Sequence, residues 1–253
     1  MQLALNQAIK PSRVKVSDLA DRVTWRDVPK WKRCLDLTLV VLTLPVWLPI
    51  SIAVALFIKI VSPGTVLFRQ ERIGHLGTTF YCLKFRTMKM NADITVHRKH
   101  LDDLMISDKP MKKLDCNGDD RLIPGGRWLR ATGIDELPQL INVLRGEMSL
   151  VGPRPCVAYE AARYEPWQLE RFNAAPGLTG WWQVNGKNGT TFTRMMQLDI
   201  EYTRTKSLGL DLKNMLKTIP ALWVQIGDCH GQRKAAQAAA RAEAPLPLHV
   251  GNH

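Results

Sequence analysis

Between Leu37 and Ile58 the chain carries 22 consecutive residues without a charge, and few soluble folds can absorb such a run. At the helical rise it is roughly 33 Å long, about one hydrocarbon thickness of a bilayer. The segment must meet lipid or a very large core. A simple transmembrane span carries its basic excess on one side, yet here Lys30, Lys32 and Arg33 precede the run while Lys59, Arg69 and Arg72 follow it. Both ends therefore read as lying on the same side. Pro45 and Pro49 fall inside the run, where each removes a backbone hydrogen bond and favours a kink. The expectation is a helix that enters the membrane, breaks at these prolines and returns. A spanning helix is the second reading, and a buried core helix the third.

A length of 253 residues suits one medium domain with appendages. The net charge of +12 points to an anionic partner: nucleic acid, a membrane surface or a phosphorylated substrate. Charge alone does not choose among them, but a nucleic-acid-binding protein would leave the uncharged run without a purpose. The five cysteines are odd in number, scattered and free of CxxC spacing, which fits reduced thiols facing the cytoplasm.

From Ser62 to Met88, turn signals at Pro63-Gly64, Gly74 and Gly77 separate short apolar runs, the pattern of short strands or a hairpin. Its basic residues, Arg69, Arg72, Lys84, Arg86 and Lys89, would lie near headgroups if the preceding run is embedded, where they suit anionic lipid or a substrate phosphate. Further on, His97 and His100 are best read as a solvated helix face rather than metal ligands. Gly118-Asp119-Asp120 reads as a surface turn.

Most of the chemistry-bearing residues gather between 121 and 155. Leu137, Leu140, Ile141 and Leu144 follow the spacing of one buried helix face, and Gly146 is a stop signal. Pro138 at the third helical position would make Asp135 the N-cap and Glu136 the first helical residue. A capping aspartate at the positive end of a helix dipole stays ionised, as a nucleophile must, and Glu136 beside it suits a hard divalent ion. Arg127 and Arg130 lie just upstream, and Arg154 follows in the turn Gly152-Pro153-Arg154-Pro155. Guanidinium groups near such a site suit phosphate. Each feature alone is ordinary, an N-cap or a surface charge; together they suggest phosphoryl transfer.

Past this stretch, residues 176–188 combine glycines, the pair Trp181-Trp182, amides and Lys187, which can reach a phosphate. Leu208, Leu212, Met215, Leu216, Ile219 and Trp223 share one helical face. Packing against the domain is the default for that face, and the membrane interface the alternative. From about Arg233 the chain is Ala-rich and reads as a loose tail.

Several of these segments together resemble a known family. Lys32-Arg33 with Asp36, Phe68-Arg69-Gln70-Glu71-Arg72-Ile73-Gly74, Lys84-Phe85-Arg86-Thr87-Met88, Asp135-Glu136-Leu137-Pro138-Gln139-Leu140, Val151-Gly152-Pro153-Arg154-Pro155, and Pro176-Gly177-Leu178-Thr179-Gly180 through Gln183-Val184-Asn185-Gly186 resemble, in order, the bacterial sugar transferases, the monotopic phosphoglycosyl transferases. The resemblance implies transfer of a sugar 1-phosphate from a UDP-sugar to polyprenyl (undecaprenyl) phosphate. By similarity Asp135 attacks the phosphorus next to the sugar, UMP leaves, and the lipid phosphate takes the phosphosugar from the aspartyl intermediate. Glu136 would bind Mg2+, and Arg130 and Arg154 match arginines expected near the phosphates, with Arg127, Lys84 and Lys187 as further phosphate or substrate contacts.

The implied architecture is an α+β fold, mainly helical: a re-entrant membrane helix followed by a compact cytoplasmic catalytic domain with interfacial amphipathic helices. Residues 1–30 would be a leader, 31–61 the re-entrant helix, 62–226 the catalytic domain and 227–253 a flexible tail. The expected place is the inner membrane, catalytic domain on the cytoplasmic face. The expected partners are membrane lipids, downstream glycosyltransferases and, in one arrangement, a second copy. There are departures: Leu48-Pro49 stands where Ser-Pro is common, so a hydroxyl that helps unpaired backbone is missing. Thr132-Gly133-Ile134 replaces Thr-Ser-Leu, and Lys187 replaces arginine. With no four-span bundle before the domain, the chain resembles a short or truncated form. A non-catalytic membrane scaffold of a polysaccharide assembly complex is the alternative, although it gives the clustered carboxylates and arginines no purpose.

Overall fold

A computed structural model describes residues 27–90, 102–105, 107, 110, 121–186 and 189–221. The leader up to residue 26, His97 and His100, Gly118-Asp119-Asp120, Lys187, Trp223 and the C-terminal tail lie outside them.

The uncharged run is divided between two helices, α1 (Lys30–Leu42) and α2 (Leu44–Val61). Their junction is Thr43, two residues before Pro45: Pro45 occupies the first turn of α2, where its missing N–H leaves α2 intact but cannot continue the α1 ladder, while α2 runs on through Pro49. Two side chains serve the carbonyls at the junction. The Thr43 hydroxyl donates to Leu39 O at 2.7 Å, and the buried Trp47 indole donates to Val40 O at 3.0 Å. Thr43 thus supplies the hydroxyl that Leu48 cannot.

The two helices relate to the rest of the chain differently. α1 buries Lys32, Asp36 and Val40, one residue per turn on one line. Lys32 meets Asp211 at 2.5 Å and Tyr202 Oη at 2.9 Å, Asp36 accepts from Leu150 N, and Arg33 donates to the carbonyls of Val143 and Leu144. These charges are therefore ties into the domain rather than headgroup contacts. α2 is the one helix among the described residues long and apolar enough to cross a membrane by length and composition, and only 17% of it is buried. At its C-terminal end Val54 and Ile58 pack in a cluster with Phe85, Ile123 and Leu129.

The expected hairpin is present. β1 (Leu67–Ile73) pairs antiparallel with β2 (Thr79–Phe85), with Glu71 opposite Tyr81. Arg86, one residue past β2, turns inward and closes the segment after α2 by donating to Ser62 Oγ, Ser62 O and Thr65 O. Arg72 is also buried. Neither suits the headgroup role expected of the hairpin's basic residues.

Three short elements follow: α3 (Gly126–Thr132), a 3-10 turn (Ile134–Glu136) and α4 (Gln139–Arg145). α4 ends, as expected, at Gly146 in the left-handed region at φ 83°. The buried Asn142 clips α4 to β2, accepting from Leu83 N at 3.0 Å and donating to Tyr81 O at 2.8 Å. β3 (Ser149–Val151) then pairs in parallel with β4 (Gly177–Thr179), a pairing with no clear sequence signal. The strand pair demands glycine on both sides: a Cβ on Gly152 would lie 2.1 Å from Ala175 O, and one on Gly177 would lie 2.0 Å from Gly152 N.

Between the paired strands run α5 (Ala158–Ala161) and a 3-10 helix (Pro166–Asn173); after β4 come α6 (Trp181–Val184), α7 (Phe192–Thr205) and α8 (208–221). Tyr164, Leu169, Phe172, Phe192, Met195 and Met196 form a core here. α8 reverses the default expectation for its apolar face. Leu208, Leu212, Leu216 and Ile219 are exposed, while Asp211 and Asn214 are fully buried.

Candidate active site

Asp135 and Glu136 lie in the 3-10 turn rather than at the start of a helix. Gly133, in the left-handed region at φ 73°, reverses the chain after α3. Consecutive i to i+3 bonds follow, from Glu136 N to Gly133 O and from Leu137 N to Ile134 O. The N-cap of α4 is Pro138, and no side chain caps it. The expected N-cap role of Asp135, with Glu136 first and Pro138 third in the helix, is therefore corrected. Proline at 138 cannot donate its amide to the preceding turn, so the regular helix starts after it. Asp135 lies within this tight turn and is 7% exposed.

The turn packs against β2 and α3, and this contact assembles the site. From β2, Lys84 Nζ meets Glu136 Oε1 at 2.6 Å, with the two side chains 30% and 36% exposed. From α3, Arg130 Nε donates to Thr87 Oγ1 at 2.8 Å, while Arg127 is exposed. Arg154 stands exposed in the turn after β3. Cys82 is buried at the centre of β2 and feels several of these charges. Burial pushes its thiol up, Lys84 is the largest opposing charge, Arg72 and Arg154 act in the same sense as Lys84, and Glu136 acts against them. Lys84 and Glu136 are thus joined across two separate segments, and Arg154 acts on the same buried thiol from a third.

The Glu136 carboxylate is of the donor type that suits a magnesium ion. Among the described residues no group of three or more His, Cys, Asp or Glu side chains is arranged to hold a metal. Magnesium does not need one, because it commonly takes one or two carboxylates together with substrate phosphates and water. Glu136 already receives a cation, the Lys84 ammonium, so its carboxylate is placed to face positive charge.

Sequence reasoning missed a second layer. Arg171 is 2% exposed and meets Asp199 at 2.6 Å, and its Nη1 donates to Tyr164 Oη at 2.6 Å. Burial pushes the Asp199 carboxyl up, to about 6, with Arg171 pulling the other way. A signal was present: Asp199 follows Met195 and Met196 on the apolar stripe of α7, and an acid at such a position needs a buried partner.

The family model of the bacterial sugar transferases matches residues 28–225. The chain is 44% identical over 200 residues to the UDP-glucose:undecaprenyl-phosphate glucose-1-phosphate transferase of Caulobacter vibrioides, covering 76% of this chain and 69% of that protein. It is 36% identical over 196 residues to the exopolysaccharide production protein ExoY of Sinorhizobium fredii, covering 78% and 87%. It is also 36% identical over 188 residues to the UDP-galactose-lipid carrier transferase of Erwinia amylovora, covering 74% of this chain and 39% of that one.

Proposed function

Because this chain belongs to the bacterial sugar transferases and is a phosphoglycosyl transferase, we propose that it forms an aspartyl phosphosugar on Asp135 and passes the sugar phosphate to undecaprenyl phosphate. A carboxylate oxygen of Asp135 attacks the phosphorus bearing the sugar of a UDP-sugar, the bond to the other phosphate breaks, and UMP leaves. An oxygen of undecaprenyl phosphate then attacks the same phosphorus and frees Asp135, leaving the sugar on a lipid diphosphate. Splitting one hard displacement into two is the usual gain from a covalent nucleophile.

The observation that carries this reading is the turn that buries Asp135 and sets its neighbour Glu136 against Lys84 at 2.6 Å. Lys84, Arg130 and Arg154 offset phosphate charge as it shifts between the attacking and leaving oxygens, the main work of a phosphoryl-transfer site. Glu136 would hold a magnesium ion, which when bound adds to that neutralisation. Relatives named for glucose and for galactose transfer leave the sugar to experiment, and the likeness to ExoY supports a product destined for exopolysaccharide synthesis.

The membrane arrangement belongs to the same proposal: α1 and α2 enter one leaflet and return, with the domain on the cytoplasmic face of the inner membrane. What supports this is that both ends are fastened to one domain, the start of α1 through Lys32 and Arg33 and the end of α2 through Ile58 and Ser62. Val41, Leu42, Val46, Leu48, Ile50 and Ile52 between them are exposed. The exposed row on α8 suits a membrane interface as well.

The test incubates detergent-purified protein with magnesium and labelled UDP-glucose or UDP-galactose, without lipid, and reads intact mass. A phosphosugar adduct on the wild type that is absent from Asp135→Asn is expected. If neither donor gives an adduct, and undecaprenyl phosphate elicits no UMP, the nucleophile assignment fails and a scaffold role leads.

A further inference from the structure

We propose that Arg171, with Arg72, is a positioning residue for Arg154. This rests on the reading of Arg154 as a phosphate contact. The side chain of Arg154 is exposed, but the backbone that carries it is pinned at four consecutive carbonyls. Pro153 O accepts from Gly177 N at 2.8 Å, Arg154 O from Arg171 Nη2 at 2.7 Å, Pro155 O from Arg72 Nη1 at 3.0 Å and Cys156 O from Ile73 N at 2.8 Å. The prolines at 153 and 155 lend no amides and fix φ. The turn therefore has little freedom except in the arginine side chain itself.

Two of the four donors are buried guanidinium groups, an expensive choice for holding neutral carbonyls. Arg171 is oriented from behind by Asp199, by Tyr164 Oη and, at 3.9 Å, by Glu160. Glu160 in turn accepts from Tyr164 Oη at 2.6 Å. Arg72 has a different setting: its Nη2 donates to Gln70 Oε1 at 2.5 Å and, among the described residues, its buried Nε has no partner and it forms no ion pair. Burial and then the neighbouring Arg154 pull the Arg72 guanidinium below its ordinary value. So one neutralised and one unneutralised arginine sit beneath Arg154. The first fixes the turn, and the second fixes it while adding positive potential where an anion would meet Arg154. A planar fork that spans Asp199 and a carbonyl together is a geometry lysine cannot reproduce.

The test is a double-mutant cycle on the full chain in detergent, following UMP release from UDP-glucose with undecaprenyl phosphate as acceptor. Arg154→Ala is expected to lower kcat/KM by about 10²-fold. Arg171→Lys, which keeps the charge but not the fork, is expected to lower kcat by about tenfold with KM little changed, since misplacement of a catalytic contact is felt mainly at the transition state. The double variant is expected to be no worse than Arg154→Ala, because a residue that acts through Arg154 has nothing left to position. Losses that multiply would overturn the proposal while leaving the phosphate role of Arg154 intact. Full activity of Arg154→Ala would overturn both. If Arg171→Lys does not fold, Arg72→Lys takes its place in the cycle with the same expectations.

Discussion

Two lysine–acid pairs of nearly equal length sit at opposite extremes of burial. Lys32 meets Asp211 at 2.5 Å with both side chains 1% exposed, whereas Lys84 meets Glu136 at 2.6 Å with 30% and 36% exposed. Distance alone would assign them one role. Burial separates them: a desolvated pair is held in place because neither partner can be left alone, while a solvated pair can exchange partners at little cost. The first pair ties α1 to α8, 179 residues apart in sequence. In the proposed mechanism the second faces the reaction, where a lysine that can let go of Glu136 would meet a phosphate.

The largest expected effect comes from breaking the buried pair. Asp211→Ala removes the direct ion-pair partner of Lys32, leaving it Tyr202 Oη and the weaker pull of Asp36, and should destabilise the protein by about 3 kcal/mol, read as a large drop in melting temperature in detergent. Replacing both partners, Lys32→Met with Asp211→Leu, should recover much of that loss. A drop no larger than that of an ordinary surface variant would erase the distinction between the pairs. Lys84→Met should show the converse: stability within about 1 kcal/mol of wild type, but transfer slower by about 10²-fold. Equal damage to melting temperature and rate would make Lys84 a structural residue.

A smaller effect sharpens the same point through pH. The Asp199 carboxyl is raised by burial from 3.8 to about 6. Between those values the folded chain keeps a proton that the unfolded chain has lost, so this group makes stability fall as pH rises through that window. Asp199→Asn should flatten the slope in melting temperature between about pH 4 and about pH 6; an unchanged slope would place its origin elsewhere. The smallest effect concerns the thiols. Burial pushes Cys156 up to about 12 and raises Cys82 as well, so brief alkylation of the native protein should label the exposed Cys34 and spare both. Labelling of Cys82 at a comparable rate would show that the centre of β2 opens to solvent.

Much of the site was legible locally. The hairpin followed from its turn glycines, the end of α4 from Gly146, and the acidic pair from its place before an apolar helix face. The refined position of Asp135 was not. Helix periodicity predicts that a helix exists but not that its first turns tighten into a 3-10 path ahead of Pro138, because that depends on Gly133 adopting the left-handed region. The face of α8 was misjudged for a related reason. An apolar stripe is inward by default, but the buried partners of Asp211, Lys32 and Tyr202, turn the polar edge of that helix to the core and leave its leucines outside.

What the sequence alone determined were the properties carried by neighbouring residues: an uncharged run long enough for a bilayer, the order of the motifs, the carboxylate pair and the proline-flanked arginine. Tertiary structure decided which charges are working and which are buried ties. It joined Lys32 to Asp211, Arg171 to Asp199 and to the carbonyl of Arg154, and Trp47 to the Val40 carbonyl beside the break at Thr43. The physical reason is range. Propensity and periodicity act over a few residues, while the cost of burying a charge is set by whichever distant segment arrives to meet it.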